Sequence, residues 1–219
     1  MCWRLSQLGL ACVHAKTSLM KAQLRHHIVQ SLGYIPDRLD DMLDAFHPRI
    51  LGRQESLLEI GEVCQHVHYV AEGCLQVYLW NTDGQEATRD FVLTQQWCSS
   101  LASFRDQHPA MEGIRAIEPS RVLSIAHADF LTLVEQLPVF AQRYQYLLEQ
   151  AYLLSTKRVS ALLSLNASQR IEWLHNHQPE LARNVSSRLL ASYLGMTKET
   201  YSRLRAKIDS SVDVEPLKR

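Results

Sequence analysis

The sequence is poor in the features that mark several protein classes. Only 8 Gly and 7 Pro occur in 219 residues, too few for a collagen-like or low-complexity chain. No apolar run reaches the roughly 18 residues that span a bilayer. The five cysteines, at positions 2, 12, 64, 74 and 98, are odd in number and show no tight spacing. That excludes a disulfide-dense scaffold and suits free thiols in a reducing cytoplasm. Net charge is absent too, with 23 Lys+Arg against 23 Asp+Glu. Neutrality with 46% apolar residues excludes whole-chain disorder, and the length is ample for a core in one or two domains. There is no nucleophile elbow, P-loop, catalytic carboxylate pair or HExxH, so nothing marks an enzyme.

The neutral total hides an asymmetry. Residues 1–158 carry 14 basic and 17 acidic side chains, and residues 159–219 carry 9 and 6. A basic C-terminal quarter on an acidic body hints at a small anion-binding module. The start, MCWRLSQLGLACVHA, has a short apolar stretch with only Arg4 beside it, a weak secretory pattern. Structure is expected to begin near Met20.

Residues 20–48 read as two helical pieces. Leu24, Ile28 and Leu32 line the first, and Leu39, Met42, Leu43 and Phe46 the second, which Pro48 ends. Residues 49–126 change to short runs, Ser56–Ile60, Val67–Val70, Leu75–Trp80, Ala87–Leu93 and Val122–Ile125. Gly61, Gly73 and Gly84 punctuate them, which suggests a sandwich or small barrel. Asn81-Thr82-Asp83-Gly84 reads as a hairpin turn. From Ala128 a short helix runs to Pro138. Then Phe140, Tyr144, Leu147, Ala151 and Leu154 recur at fours and threes, a seam of about two heptads. Such a seam packs either on the β domain or on a second copy.

The C-terminal stretch from Val185 to Ile208 carries the function. Two helices, Ser186–Tyr193 and Thr197–Ile208, meet at Gly195, where a turn needs φ > 0. Ala191 suits close helix packing, Thr197 suits an N-cap, and Leu190, Leu194, Tyr201 and Leu204 form the inner face. The outer face then presents Lys198, Glu199, Ser202 and Arg203. Arg donates bidentately to guanine and Glu accepts from cytosine, so these four are candidate base contacts in a major groove. Ser186, Ser187, Arg205 and Lys207 are candidate phosphate contacts. A helical hairpin with a merely solvated charged face is the bland alternative.

At this point the chain resembles the Crp/Fnr transcription regulators, over about residues 22–208. Gly61-Glu62, Tyr69-Val70, Gly73 and Asp83-Gly84 fall on landmarks of that family's cyclic-nucleotide-binding β-roll. Lys198, Glu199 and Arg203 fall on its Arg-Glu-x-x-x-Arg base-reading set. The resemblance implies an α+β fold. A sensor β-roll spans residues 20–135, a dimerisation helix 138–164 and a helix-turn-helix domain 165–210, with Asn166 as candidate hinge. It implies a cytoplasmic homodimer on double-stranded DNA, with RNA polymerase as a further partner and no membrane. Phe140, Tyr144, Leu147, Ala151 and Leu154 become the dimer interface.

Two departures matter. In the cAMP-binding members a Gly-Glu pair and an Arg-Ser/Thr pair hold the ribose and cyclic phosphate. Here Ser99-Ser100 and Ala110-Met111 stand at those positions, and neither Arg105 nor Arg115 sits at the right offset. A buried phosphate without its arginine is costly, so cAMP is not expected as a tight ligand; another effector, or none, is. The tail, Asp209–Arg219, is too short for the usual β-hairpin wing, so a reduced or absent wing is expected.

Cys2 and Cys12 do not supply the clustered N-terminal cysteines of the family's iron–sulfur sensors. Cys64, His66 and His68 alternate like a metal half-site, but the resemblance implies that Cys64 falls in a turn and only His68 well inside a strand, so no metal is expected. Cys98 reads either as a redox thiol or as a small buried hydrophobe. A competing reading keeps the fold as a ligand- or protein-binding module whose helix-turn-helix only packs. Lys198, Arg203 and Arg205 would then be dispensable.

Overall fold

The computed structural model describes the backbone of residues 3–212 and the side chains of residues 17–208. The described chain forms two compact units. One holds the residues up to Gly84 together with Asp90–Arg143; the other holds Gln85–Arg89 and the residues from Tyr144 on.

The first unit is a β-roll with helices. Helices α1 (Trp3–Leu32) and α2 (Leu39–Asp44) lead into eight strands. These are β1 (His47–Leu51), β2 (Ser56–Leu58), β3 (His66–Glu72), β4 (Cys74–Trp80), β5 (Glu86–Leu93, whose residues 86–89 group with the second unit), β6 (Trp97–Cys98), β7 (Gly113–Ala116) and β8 (Ser120–Ala126). They build two four-stranded sheets, in the orders β1-β8-β3-β6 and β2-β7-β4-β5. Helix α3 (Leu101–Asp106) follows β6, and α4 (His127–Gln136) follows β8.

Alternation within β4 shows how the second sheet is built. Leu75 and Val77 are buried apolar residues. Gln76, on the opposite face, is also buried, because its side-chain oxygen accepts from Nε and Nη2 of Arg115 at 3.1 and 2.9 Å. The same guanidinium lies 4.5 Å over the Tyr78 ring, and the Tyr78 hydroxyl donates to Glu59 at 3.0 Å. Gly73, at φ +103°, lies so close to Ser120 that a Cβ there would sit 2.3 Å from its hydroxyl oxygen. The hairpin turn forms as read, with Gly84 N–H donating to Asn81 O at 3.0 Å and Asp83 N–H to Asn81 Oδ1 at 3.0 Å.

The start differs from the sequence reading. Helix α1 begins at Trp3, not near Met20. Its C-terminal half docks through buried Met20, Leu24 and Ile28, and the His27 ring lies 5.5 Å from that of Tyr69. Lys21–Asp44 at 3.0 Å and Arg25–Asp40 tie it to α2; such exposed pairs stabilise by at most about 1 kcal/mol. Pro48 does not end a helix but lies within β1. That strand pairs only with β8, and an edge strand tolerates a residue with no N–H.

The second unit is helical. Helix α5 (Pro138–Ser164) runs into it, followed by α6 (Ala167–His177), α7 (Pro179–Asn184), α8 (Ser187–Tyr193) and α9 (Lys198–Val212). Ile171, Leu174, Leu190, Leu194 and Tyr201 are almost fully buried, each contributing roughly 1.5–3 kcal/mol. Helix α9 continues through Val212; the wing reading otherwise falls on residues 213–219, outside the described residues. Among the described residues no helix is long and apolar enough to cross a membrane.

Candidate nucleic-acid interface

The α8–α9 corner is built by local chemistry. Gly195, at φ +66°, ends α8 in a Schellman turn, with Met196 N–H donating to Ala191 O at 3.0 Å and Gly195 N–H to Ser192 O at 3.2 Å. Thr197 then caps α9, its hydroxyl oxygen accepting Thr200 N–H at 3.2 Å. The same hydroxyl pairs with that of Thr200 at 3.1 Å, where a full capping box would have a Glu or Gln side chain.

Tyr201 turns inward and is fully buried. That rotation leaves Lys198, Glu199, Ser202 and Arg203 together on the exposed side of α9. Lys207 is exposed and Arg205 half-exposed on the same helix. Ser186, exposed, and Ser187, half-exposed, stand at the start of α8 beside exposed Arg188. Arg188 was not singled out in the sequence, although its place directly after the Ser-Ser pair was a usable signal. The arrangement presents three hydroxyls and five cationic side chains around a single acidic one. It can donate to phosphates and base edges.

The cassette residues of the first unit do not converge in this way. Ser99 donates to His66 O at 3.2 Å and lies 3.5 Å from Cys64 Sγ. Ser100 is buried, and its carbonyl accepts Phe104 N–H at 2.7 Å in α3. Ala110 is buried and exchanges 2.8 Å backbone bonds with Gly61 and Glu62. Met111 is 88% exposed. The two arginines nearest in sequence are engaged elsewhere. Arg115 grips Gln76, and Arg105 forms a two-bond pair with Asp106 at 2.7 and 2.8 Å, holding that carboxyl below the usual range.

The heptad seam divides. Phe140 is buried within its own chain, 5.3 Å from Phe130. Tyr144 and Leu147 are half-buried, whereas Ala151 and Leu154 are exposed. Every residue from 149 to 157 is exposed, Tyr152, Leu153 and Leu154 included.

His68 is buried and hydrogen-bonded with Ser124 Oγ at 2.8 Å. Burial, with His66 and Arg49 nearby, pushes its pKa down to about 3. Cys64 donates to His66 O at 3.3 Å. Among the described residues no three or more His, Cys, Asp or Glu are grouped to hold a metal. Cys98 is buried and free of any disulfide.

Comparison with known proteins agrees with this architecture. Residues 48–137 match the cyclic nucleotide-binding domain family. The chain is 24% identical over 179 residues to the anaerobic regulatory protein of Haemophilus influenzae, covering 77% of this chain and 68% of that one. It is 25% identical over 191 residues to the transcriptional regulatory protein btr of Bordetella pertussis, covering 81% and 78%. The structure of FixK2 from Bradyrhizobium japonicum superposes with a TM-score of 0.67 at 16% identity, over 80% of this chain and 89% of that one, and so shares the fold. With a β-roll, a long helix and a helix-turn-helix in that order, the chain is similar to transcription regulators of the Crp/Fnr type.

Proposed function

We propose that the protein is a homodimeric, sequence-specific DNA-binding regulator that does not take cAMP through the family's cassette. The observation that carries this is the outer face of α9, where Lys198, Glu199, Ser202 and Arg203 are exposed together while Tyr201 anchors the helix from behind. Arg203 and Lys198 would donate to guanine edges and Glu199 would accept from cytosine. Ser186, Ser187, Arg205 and Lys207 would set the register on the phosphates. RNA polymerase is the expected further partner, and the cytoplasm the expected compartment.

The bare stretch 149–157 of α5 supports dimerisation. An α-helix exposed all round with Tyr152, Leu153 and Leu154 on its surface leaves apolar area that a second copy would cover. Phe140 does not belong to that interface, since it is spent within its own chain. The engaged Arg105 and Arg115 support the reading on the effector. Arg105 is held by Asp106 and Arg115 by Gln76, and a buried phosphate left unpaired is costly.

The test is selection of bound duplexes from a random pool by the ligand-free protein at fixed near-physiological salt. A palindrome with half-sites about one helical turn apart is expected. Enrichment of nothing, with and without cell metabolites, would favour the packing-only helix-turn-helix.

A further inference from the structure

We propose that Arg158 is a positioning residue that locks the helix-turn-helix to α5, so that the two turn as one body. This rests on the DNA-binding reading and extends it to how the recognition helix is aimed. Arg158 Nη2 donates to the carbonyl of Tyr193 at 2.8 Å, and its guanidinium carbon lies 4.1 Å over the Tyr193 ring. Tyr193 is the last residue of α8, so its carbonyl is one of the four that a helix end leaves without a helical partner. A longer 3.4 Å contact reaches Thr88 O. The N–H of Thr88 donates in turn to Ser192 Oγ at 2.8 Å. Segment 85–89, α5 and the end of α8 thus meet at one arginine inside the second unit.

A second guanidinium closes the joint below it. Arg170 donates to Leu162 O, Leu165 O and Leu194 O at 2.7, 3.0 and 3.1 Å. It satisfies the open carbonyls of α5 and α8 together. Asn166, the hinge candidate of the sequence reading, is itself held in a capping box with Gln169, by bonds of 3.0 and 3.1 Å. A hinge must absorb a backbone rotation, and here that rotation would break several bonds to charged donors, roughly twice as strong as neutral ones. Movement of α5 is therefore transmitted to α9, and pairing of two α5 helices sets the distance between the two reading heads.

Arginine is required for this geometry. A lysine keeps the charge but has neither the planar fork nor the flat face that stacks on Tyr193. The test compares wild type, Arg158→Lys, Arg158→Met and Ser192→Ala. Amide exchange of Thr88 is read on the full protein without DNA. Selection from a duplex pool with variable half-site spacing is read separately for spacing and for base preference.

The expected result for Arg158→Met and Arg158→Lys is Thr88 exchange faster by about tenfold, as for loss of one charge-assisted bond. Preferred spacing should broaden while base preference within each half-site stays. Ser192→Ala should speed Thr88 exchange alone. Unchanged exchange and spacing in Arg158→Met would overturn the proposal. So would loss of base preference and of folding together, which would make the residue merely structural. If wild type selects no motif, the DNA reading fails, while the exchange measurement still decides whether Arg158 holds the joint.

Discussion

The hydroxyl of Thr197 accepts the N–H of Thr200 at 3.2 Å, and that bond starts α9 directly ahead of Lys198 and Glu199. The two residues that begin the reading face therefore stand on a capped first turn. Removing the cap should cost about 1 kcal/mol. Thr197→Ala is expected to lower the urea midpoint of the helical unit, followed by Trp173 fluorescence. Thr197→Asp, which caps equally well, should restore it.

Acid should weaken the β-roll through His68. Its pKa is held at about 3 by burial, so the folded protein keeps it neutral while the unfolded chain takes up a proton below about 6.5. The unfolded state then binds more protons between those values, and stability is lost as pH falls through that window, by at most about 1.4 kcal/mol per pH unit for this one group. Burial also lowers His66 and His27, with the same sign. Urea midpoints between pH 7.5 and 4.5 should fall less steeply in His68→Gln than in wild type.

Calorimetric titration with cAMP should show no saturable binding at low micromolar concentration. Arg115 is held by Gln76 and Tyr78, and Arg105 by Asp106, so neither is directed to the phosphate. Tight binding would mean that one of them leaves its partner.

Leu154 is 41% exposed on the bare part of α5. Leu154→Arg should convert a dimer into a monomer in sedimentation velocity, because a charge in a helix seam would be desolvated without a partner. A dimer that survives would place the interface elsewhere.

The long-range design was legible where periodicity is strong. The long helix α5, the inner face Leu190–Leu194–Tyr201 and the turn at Gly195 all follow from apolar spacing and one glycine. Short elements were not legible. Helices α3 and α7 have six residues each, too few to show a period, although Pro179 with Glu180 was a start signal for α7. Strand β1 was hidden because Pro48 reads as a helix stop. The guanidinium ties of Arg158 and Arg170 join residues from 5 to 70 positions apart, and no local pattern announces such contacts. The capping box at Asn166 was readable, since Asn-x-x-Gln is its signature.

The measurement that bears most directly on the account is a cycle of binding constants for wild type and Arg203→Ala on the selected operator and on the operator with the contacted guanine replaced. Arg203 is predicted to supply about 1–3 kcal/mol on the operator and almost nothing on the substituted one. Equal losses on both duplexes, or none on either, would contradict the claim that this face of α9 reads bases.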